Sequence, residues 1–213
     1  MMDLLLLLGM AFFWTITYLL IIYQGFKDRT CGMPLAALCA NLTWELLFGF
    51  LMPFNPLQQI ITIVWFALDI IILLQFLYYT RNEYSPKKIA VIVGALLATA
   101  FLLHYGVSVE FHDPEGKYTA FGINLMMSIL FIQMLFQKDL LGQSRFIAWA
   151  KMLGTLCASV LSYKLYPDSL LLMIMYVLIF LFDVGYILLV QSRSVKIVQR
   201  PGAKQGNTQQ VVT

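Results

Sequence analysis

Long apolar segments separated by short polar breaks run along almost the whole chain. Segments of roughly 18–23 residues, long enough to cross a bilayer as a helix, lie near 4–23, 34–52, 57–79, 89–106, 119–136, 146–164 and 169–191. The pattern predicts an all-α, polytopic membrane protein. We expect a bundle of seven transmembrane helices over residues 1–192 and a disordered, polar cytoplasmic tail over 193–213.

The composition excludes a soluble domain. Of the 213 residues, 61% are hydrophobic and 12% are charged, whereas soluble domains carry about 25% charged residues. The first apolar segment is preceded by Asp3 and followed by Lys27 and Arg29. A signal peptide has the opposite charge order, so we expect a retained membrane helix there.

Lysine and arginine are distributed unevenly over the predicted loops. Seven spans place most of them on one side and leave Lys117 and Lys164 on the other. Because cytoplasmic segments carry the Lys/Arg excess, the N-terminus is expected outside or in the lumen and the C-terminus in the cytoplasm. We interpret these basic residues as topology signals, so no nucleic-acid partner is expected.

Three acids interrupt separate apolar segments: Glu45, Asp69 and Asp183. A carboxylate in hydrocarbon costs roughly 2.5–3.5 kcal/mol on insertion scales, so three such residues indicate function. Counted at about 1.5 Å per residue, all three lie near the membrane midplane. We expect them to share one chamber, with at least one acid protonated. Lys151, near the end of its span, is the one basic residue that could pair with them.

Helical spacing places polar and aromatic side chains beside these acids. Asn41 lies one turn before Glu45 and Trp65 one turn before Asp69, so each pair shares a helix face. The predicted substrate contacts are Asn41, Trp44, Trp65, Tyr176, Phe180 and Tyr186. Packing is the alternative for Phe180, and packing or a lipid-facing position for Trp44 and Trp65. Asn124, Ser128, Thr155 and Ser159 add polar pairs at similar spacing. We expect Ser128, Thr155 and Ser159 at helix–helix contacts, whereas Asn124 fits either such a contact or the substrate cavity.

Other catalytic classes lack their residues. No Ser-His-Asp or Cys-His set is evident, no aspartate-rich motif is present, and the cysteines form no ligand cluster. Segment 110–117, with His112, is expected to be a solvated polar loop that caps one end of the bundle. We therefore expect no metal and no cofactor, and acid–base chemistry instead. Asp183 is the favoured proton donor because its neighbours Ile179 and Phe180 are apolar.

The motif Asn41-x-x-Trp44-Glu45, with seven short-looped spans and an acid in the last span, resembles the integral-membrane terpene cyclases of fungal meroterpenoid and indole-diterpene pathways, which have bacterial relatives. The resemblance implies an atypical class II, metal-independent cyclase for a lipophilic prenylated substrate. An acid would protonate an epoxide or alkene and start a carbocation ring closure. It implies that Glu45 and Asp183 are the acids tied to activity, with Asp69 as a further acid. It also implies the endoplasmic reticulum for a fungal protein and the plasma membrane for a bacterial one.

Two other functions fit the pattern. Some branches of this family hydrolyse epoxides with similar acids. A proton-coupled small-solute transporter of seven spans would also use intramembrane acids. The chain has neither a Pro-Gln dipeptide nor repeated halves, which disfavours the transporter.

Overall fold

A computed structural model describes residues 2–82 and 85–198, with side chains through residue 195. Seven helices make up the described chain, and no strand occurs within it. They are α1 (Met2–Asp28), α2 (Leu35–Leu46) with a π-helical continuation (Leu47–Leu51), α3 (Pro56–Thr80), α4 (Pro86–Glu110), α5 (Lys117–Lys138), α6 (Arg145–Leu165) and α7 (Leu170–Val198). The all-α prediction is confirmed, and each predicted apolar segment is a helix. Helix α7 continues past the expected bundle end at 192, and residues 199–213 of the expected tail lie outside the described chain.

Six of the helices are long and apolar enough to cross a membrane: α1 and α3 to α7. Helix α2 with its π segment covers a shorter apolar stretch, Leu35–Leu51. Large apolar side chains such as Phe12, Ile60 and Leu188 point outward from the bundle. Such a surface suits lipid rather than water, so the chain is a multi-pass membrane protein.

Local sequence signals fix several helix starts. The Asn55 side chain accepts hydrogen bonds from the backbone N–H groups of Leu57 and Gln58, with Pro56 in the first turn of α3. Ser144 caps α6 in the same way through the N–H of Ile147. These side chains satisfy donors that a helix leaves free at its N-terminus. The polar breaks in the sequence are therefore helix caps as well as loops.

Six helices form a closed ring. Helix α1 packs against α6, α6 against α7, α7 against α5, α5 against α2, α2 against α3, and α3 against α1. Helix α4 lies outside this ring, against α2 and α5. The ring brings five helices around one interior space, and that space contains the candidate site.

The π segment ends α2 directly after the site. Gln59 of α3 donates a hydrogen bond from Nε2 to the Gly49 carbonyl oxygen at 3.0 Å. A π turn displaces backbone carbonyls from the α-helical ladder, which leaves this one available to a side chain. The bond ties the end of α2 to the first turn of α3.

Candidate active site

A cavity of about 640 Å³ lies inside the ring. Helices α1, α2, α3, α5 and α6 supply its walls through residues that include Trp14, Glu45, Trp65, Ile123 and Ala158. It also reaches residues where α1 begins and α6 ends, namely Asp3, Leu165 and Tyr166. The volume falls within the roughly 300–1,000 Å³ typical of small-molecule sites.

Of the three acids predicted within the apolar segments, Glu45 is the one that lines this cavity, and it is 2% exposed. Tyr18 of α1 donates a hydrogen bond from its hydroxyl to Glu45 Oε1 at 3.0 Å. Asn41 donates from Nδ2 to the Tyr18 hydroxyl oxygen at 2.8 Å. Asn41 thus acts on Glu45 through Tyr18, rather than directly as its helical spacing suggested. Glu45 Oε2 is buried and has no hydrogen-bond partner of good geometry within the described chain, and the Asp69 carboxyl is its acidic neighbour.

Asp69 of α3 lies behind this pair and is fully buried. It is close enough to Glu45 and Tyr18 to interact with both electrostatically. Neither of its oxygens has a partner of good hydrogen-bond geometry within the described chain, although Asn41 is also adjacent. Two buried carboxyls thus lie beside one hydroxyl and one amide, and two unpaired charges so close together would be costly.

Three tryptophans line the cavity: Trp14, Trp44 and Trp65. The Trp44 indole donates from Nε1 to the Gly116 carbonyl oxygen at 3.0 Å, and Trp65 donates from Nε1 to Thr15 Oγ1 at 3.1 Å. With both indole N–H groups bonded to protein, the rings present their apolar surfaces. Trp14 completes this wall from α1, directly against Gly154 of α6, where an added Cβ would lie 2.8 Å from the indole.

Gly116 fixes the position of the Trp44 ring. It adopts φ +64°, and a Cβ there would lie 2.3 Å from the Phe48 ring and 2.8 Å from Trp44 Nε1. Glycine adopts this left-handed conformation without strain. The α4–α5 loop therefore packs onto α2 one residue away from Glu45.

The cavity entrance is polar. Tyr166 donates a hydrogen bond to Glu115 Oε2 at 2.6 Å, and Lys117 pairs with Asp113 at 2.9 Å. Lys164 forms an ion pair with Asp3. Burial, and then the hydrogen bond to Glu115, raises the pKa of Tyr166 well above its usual range. Asp113 is fully buried, so loop 110–117 is part of the entrance as well as a cap, and the expectation of a fully solvated loop is wrong at this residue.

Asp183 does not line the cavity. Lys151 of α6 donates from Nζ to Asp183 Oδ1 at 2.6 Å and to Ser128 Oγ at 2.8 Å. Asp183 lines a separate apolar groove of about 300 Å³ between α6 and α7. The expectation that all three acids share one chamber is therefore wrong for Asp183, because its partner is a buried cation on the neighbouring helix.

The predicted substrate contacts divide in the same way. Asn41, Trp44 and Trp65 line the cavity, whereas Tyr176 and Phe180 line the groove beside Asp183. Tyr176 reaches toward the cavity through its hydroxyl, which donates to Ser162 Oγ at 2.7 Å. Tyr186 is buried in the core and packs against Phe131, with 5.5 Å between ring centroids.

Sequence reasoning missed two residues of the site, Tyr18 and Trp14, which are one turn apart on α1. An aromatic residue in a long apolar run resembles packing, so the run concealed both. Tyrosine and tryptophan prefer the membrane interfaces, and their place in the middle of a span was the available signal. Thr155, expected at a helix–helix contact, donates to Asn124 Oδ1 at 3.3 Å, and Asn124 itself lines the cavity.

Within the described chain, no three His, Cys, Asp or Glu side chains are placed to hold a metal ion. The cavity thus offers carboxyl, phenol and amide groups together with aromatic surfaces.

The fold and the site define a class: a multi-pass membrane protein with an acid at the inner end of an aromatic cavity. Residues 1–192 match the model of the Pyr4-like transmembrane terpene cyclases. The chain belongs to this family, as the sequence resemblance implied.

Curated relatives carry matching names. The chain is 28% identical over 158 residues to terpene cyclase macJ of Penicillium terrestre, covering 68% of this chain and 60% of macJ. It is 28% identical over 184 residues to the Pyr4-family terpene cyclase mfmH of Annulohypoxylon moriforme, covering 80% of this chain and 75% of mfmH. Terpene cyclase pyr4 of Aspergillus fumigatus is 32% identical over 83 residues, 38% of this chain and 32% of that protein. No solved structure matches the chain.

Proposed function

We propose that this protein is a membrane-bound terpene cyclase that protonates an epoxide, or an alkene, of a prenyl chain and so starts ring closure. The observation that carries the proposal is Glu45, a buried acid in the wall of a cavity that three tryptophans also line, inside a membrane protein. Family membership supports the reaction class.

The proton passes from the Glu45 carboxyl group to the epoxide oxygen. The carbon–oxygen bond breaks as the oxygen becomes a hydroxyl, and the electron pair of a neighbouring alkene attacks the carbon left positive. Successive attacks move the cation along the chain until a C–H proton is lost. The carboxylate left on Glu45 keeps the Tyr18 hydrogen bond at Oε1, and hydrogen bonds to an anion are the stronger ones. The proton released at the end, or one from Asp69, restores Glu45.

The cavity wall suits the cationic intermediates. Faces of Trp14, Trp44 and Trp65 attract a passing cation by cation–π interaction. The indole N–H groups of Trp44 and Trp65 donate to protein acceptors, which keeps these donors away from the intermediate. An apolar wall also limits the water that would quench a carbocation.

The polar entrance orients the substrate. A lipophilic prenyl chain fits the inner, aromatic part of the cavity, and any polar end fits beside Lys117, Glu115 and Tyr166. Asn41, Trp44 and Trp65 are the proposed substrate contacts. Tyr176 acts through Ser162, and Phe180 and Tyr186 support α7.

The membrane arrangement is part of the proposal. All seven helices cross the bilayer, with the N-terminus and the cavity entrance on the lumenal or outer side and the C-terminus in the cytoplasm. The relatives named above are fungal, which favours the endoplasmic reticulum. A cysteine placed at exposed His112 is expected to react with an impermeant reagent from the lumenal side of sealed vesicles, and reaction from the cytoplasmic side would reverse the orientation.

One experiment separates the candidate reactions. Purified protein in detergent is given an epoxidised prenyl chain, and the product is read by mass and by NMR. A cyclase yields a ring-containing isomer of unchanged mass, whereas an epoxide hydrolase adds one water. Recovery of unaltered epoxide from a folded protein, with uptake into proteoliposomes, would support the transporter and refute the proposal.

A further inference from the structure

A buried ion pair connects three helices outside the cavity. Lys151 of α6 contacts Asp183 of α7 and Ser128 of α5 through its Nζ, and the Lys151 and Asp183 side chains are 1% and 2% exposed. Breaking such a pair by removing one partner is strongly destabilising because it leaves an uncompensated buried charge. Replacing both partners together is often neutral. The main effect of each charge is therefore to compensate the other.

The cation of this pair lies behind the cavity wall. Lys151 Nζ is 5.9 Å from the centre of the Trp14 ring, and Trp14 lines the cavity. One turn along α6, Thr155 bonds to Asn124, another lining residue. The electrostatic field of Lys151 and Asp183 therefore acts on the cavity across a single layer of side chains.

From this placement we infer that Asp183 serves the reaction as the counter-ion of Lys151, and that the two are positioning residues rather than proton donors. The inference rests on the proposed function, in which a cation develops inside the cavity. A neutral pair exerts little field there. An Asp183 replaced by a neutral residue would leave Lys151 as an uncompensated cation behind Trp14, opposing every cationic intermediate.

A rescue experiment distinguishes the counter-ion role of Asp183 from the proton-donor role of Glu45. The variants are Asp183→Asn, Lys151→Met, and the two combined. Asp183→Asn is expected to lower kcat by roughly tenfold or more while KM for the uncharged substrate changes little. Adding Lys151→Met removes the orphaned cation and is expected to return kcat to near the wild-type value.

Glu45→Gln gives the matched control. Its carboxyl acts on substrate, so adding Lys151→Met to it is expected to restore nothing. A folded Lys151→Met, Asp183→Asn protein that remains as slow as Asp183→Asn would overturn the inference, because the carboxyl itself would then be needed. Wild-type turnover in the single Asp183→Asn variant would also overturn it.

Folding is followed in the same variants. Each single change is expected to lower the Tm, and the double change to recover it. If the Lys151→Met, Asp183→Asn variant misfolds, it is replaced by Lys151→Gln with Asp183→Asn, which keeps a hydrogen bond between neutral amides. Failure of both double variants to fold would contradict the inference, since a pair that only neutralises itself tolerates joint removal. The Tm comparison needs no substrate, so it stands even if the wild-type protein cyclises nothing.

Discussion

Glu45 and Asp183 are both acids in apolar helices, yet their surroundings are opposite. Glu45 has a phenol on one oxygen, a second acid nearby and a cavity before it. Asp183 has a lysine at 2.6 Å and no place on that cavity. Glu45 therefore faces the space where a substrate can bind, whereas Asp183 is committed to a salt bridge with the neighbouring helix. The difference teaches that the partner of an intramembrane acid decides its chemistry.

Glu45→Gln tests the first half of this comparison and should have the largest effect. The amide keeps the size of the side chain but has no acidic proton to transfer. General acid catalysis contributes about 10²–10⁴-fold, so turnover should fall by that range. The change is measured as initial rate of epoxide consumption in detergent.

Glu110→Gln is its matched control, because Glu110 is exposed at the end of α4. It should leave turnover within experimental error. Full activity in a folded Glu45→Gln protein would remove Glu45 from the role of donor and break the contrast with Asp183.

Tyr18→Phe tests the hydrogen bond that distinguishes the Glu45 cluster. The phenol stabilises the carboxylate left after proton transfer, and hydrogen bonds to charged groups contribute about 1.5–3 kcal/mol. We expect kcat to fall by roughly ten- to hundredfold, with KM changed less. Tyr23→Phe, on the same helix and exposed, should leave kcat unaltered. Equal losses in the two variants would indicate a general defect of α1.

Gly116→Ala tests whether the α4–α5 loop constrains α2, the helix that carries Glu45. A Cβ at φ +64° would meet Phe48 and Trp44. Overpacking of this kind costs about 1–3 kcal/mol, so the Tm should fall and turnover should drop with it.

Gly94→Ala provides the comparison for this change, since a Cβ there meets nothing within 4 Å. Alanine is the better helix former, so that variant should keep or slightly raise the Tm. A Tm unchanged by Gly116→Ala would show that the α4–α5 loop does not constrain α2.

The sequence predicted the helices but not the side chains on other helices that pair with the buried acids, and the reason is physical. Apolar length and polar breaks determine helices locally, and the caps at Asn55 and Ser144 are local too. Glu45 was found because a carboxyl in an apolar run is costly wherever it points. Its bond to Tyr18 joins residues 27 positions apart, and Lys151 and Asp183 are 32 apart. Helix spacing carries no information about which faces meet across a ring, so Asp183 was assigned to the wrong chamber.

Chelation should have the smallest effect of all. The proposed proton transfer uses Glu45 and no metal, so activity in detergent should be unchanged after EDTA treatment. Activity lost on chelation and restored by magnesium would contradict acid catalysis at Glu45.

The shortness of α2 has a consequence for the lipid around the protein. Leu35–Leu51 spans about 25 Å at 1.5 Å per residue, less than the ~30 Å of a bilayer's hydrocarbon core. A short span is accommodated by local thinning of the bilayer or by neighbouring protein, and α2 has α3, α4 and α5 beside it. In the proposed seven-span arrangement, we therefore expect the longer neighbours to shield the helix that carries Glu45 from a mismatch with the bilayer. Acyl-chain length in the host membrane would then act on those neighbours first, and on the acid only through their tilt.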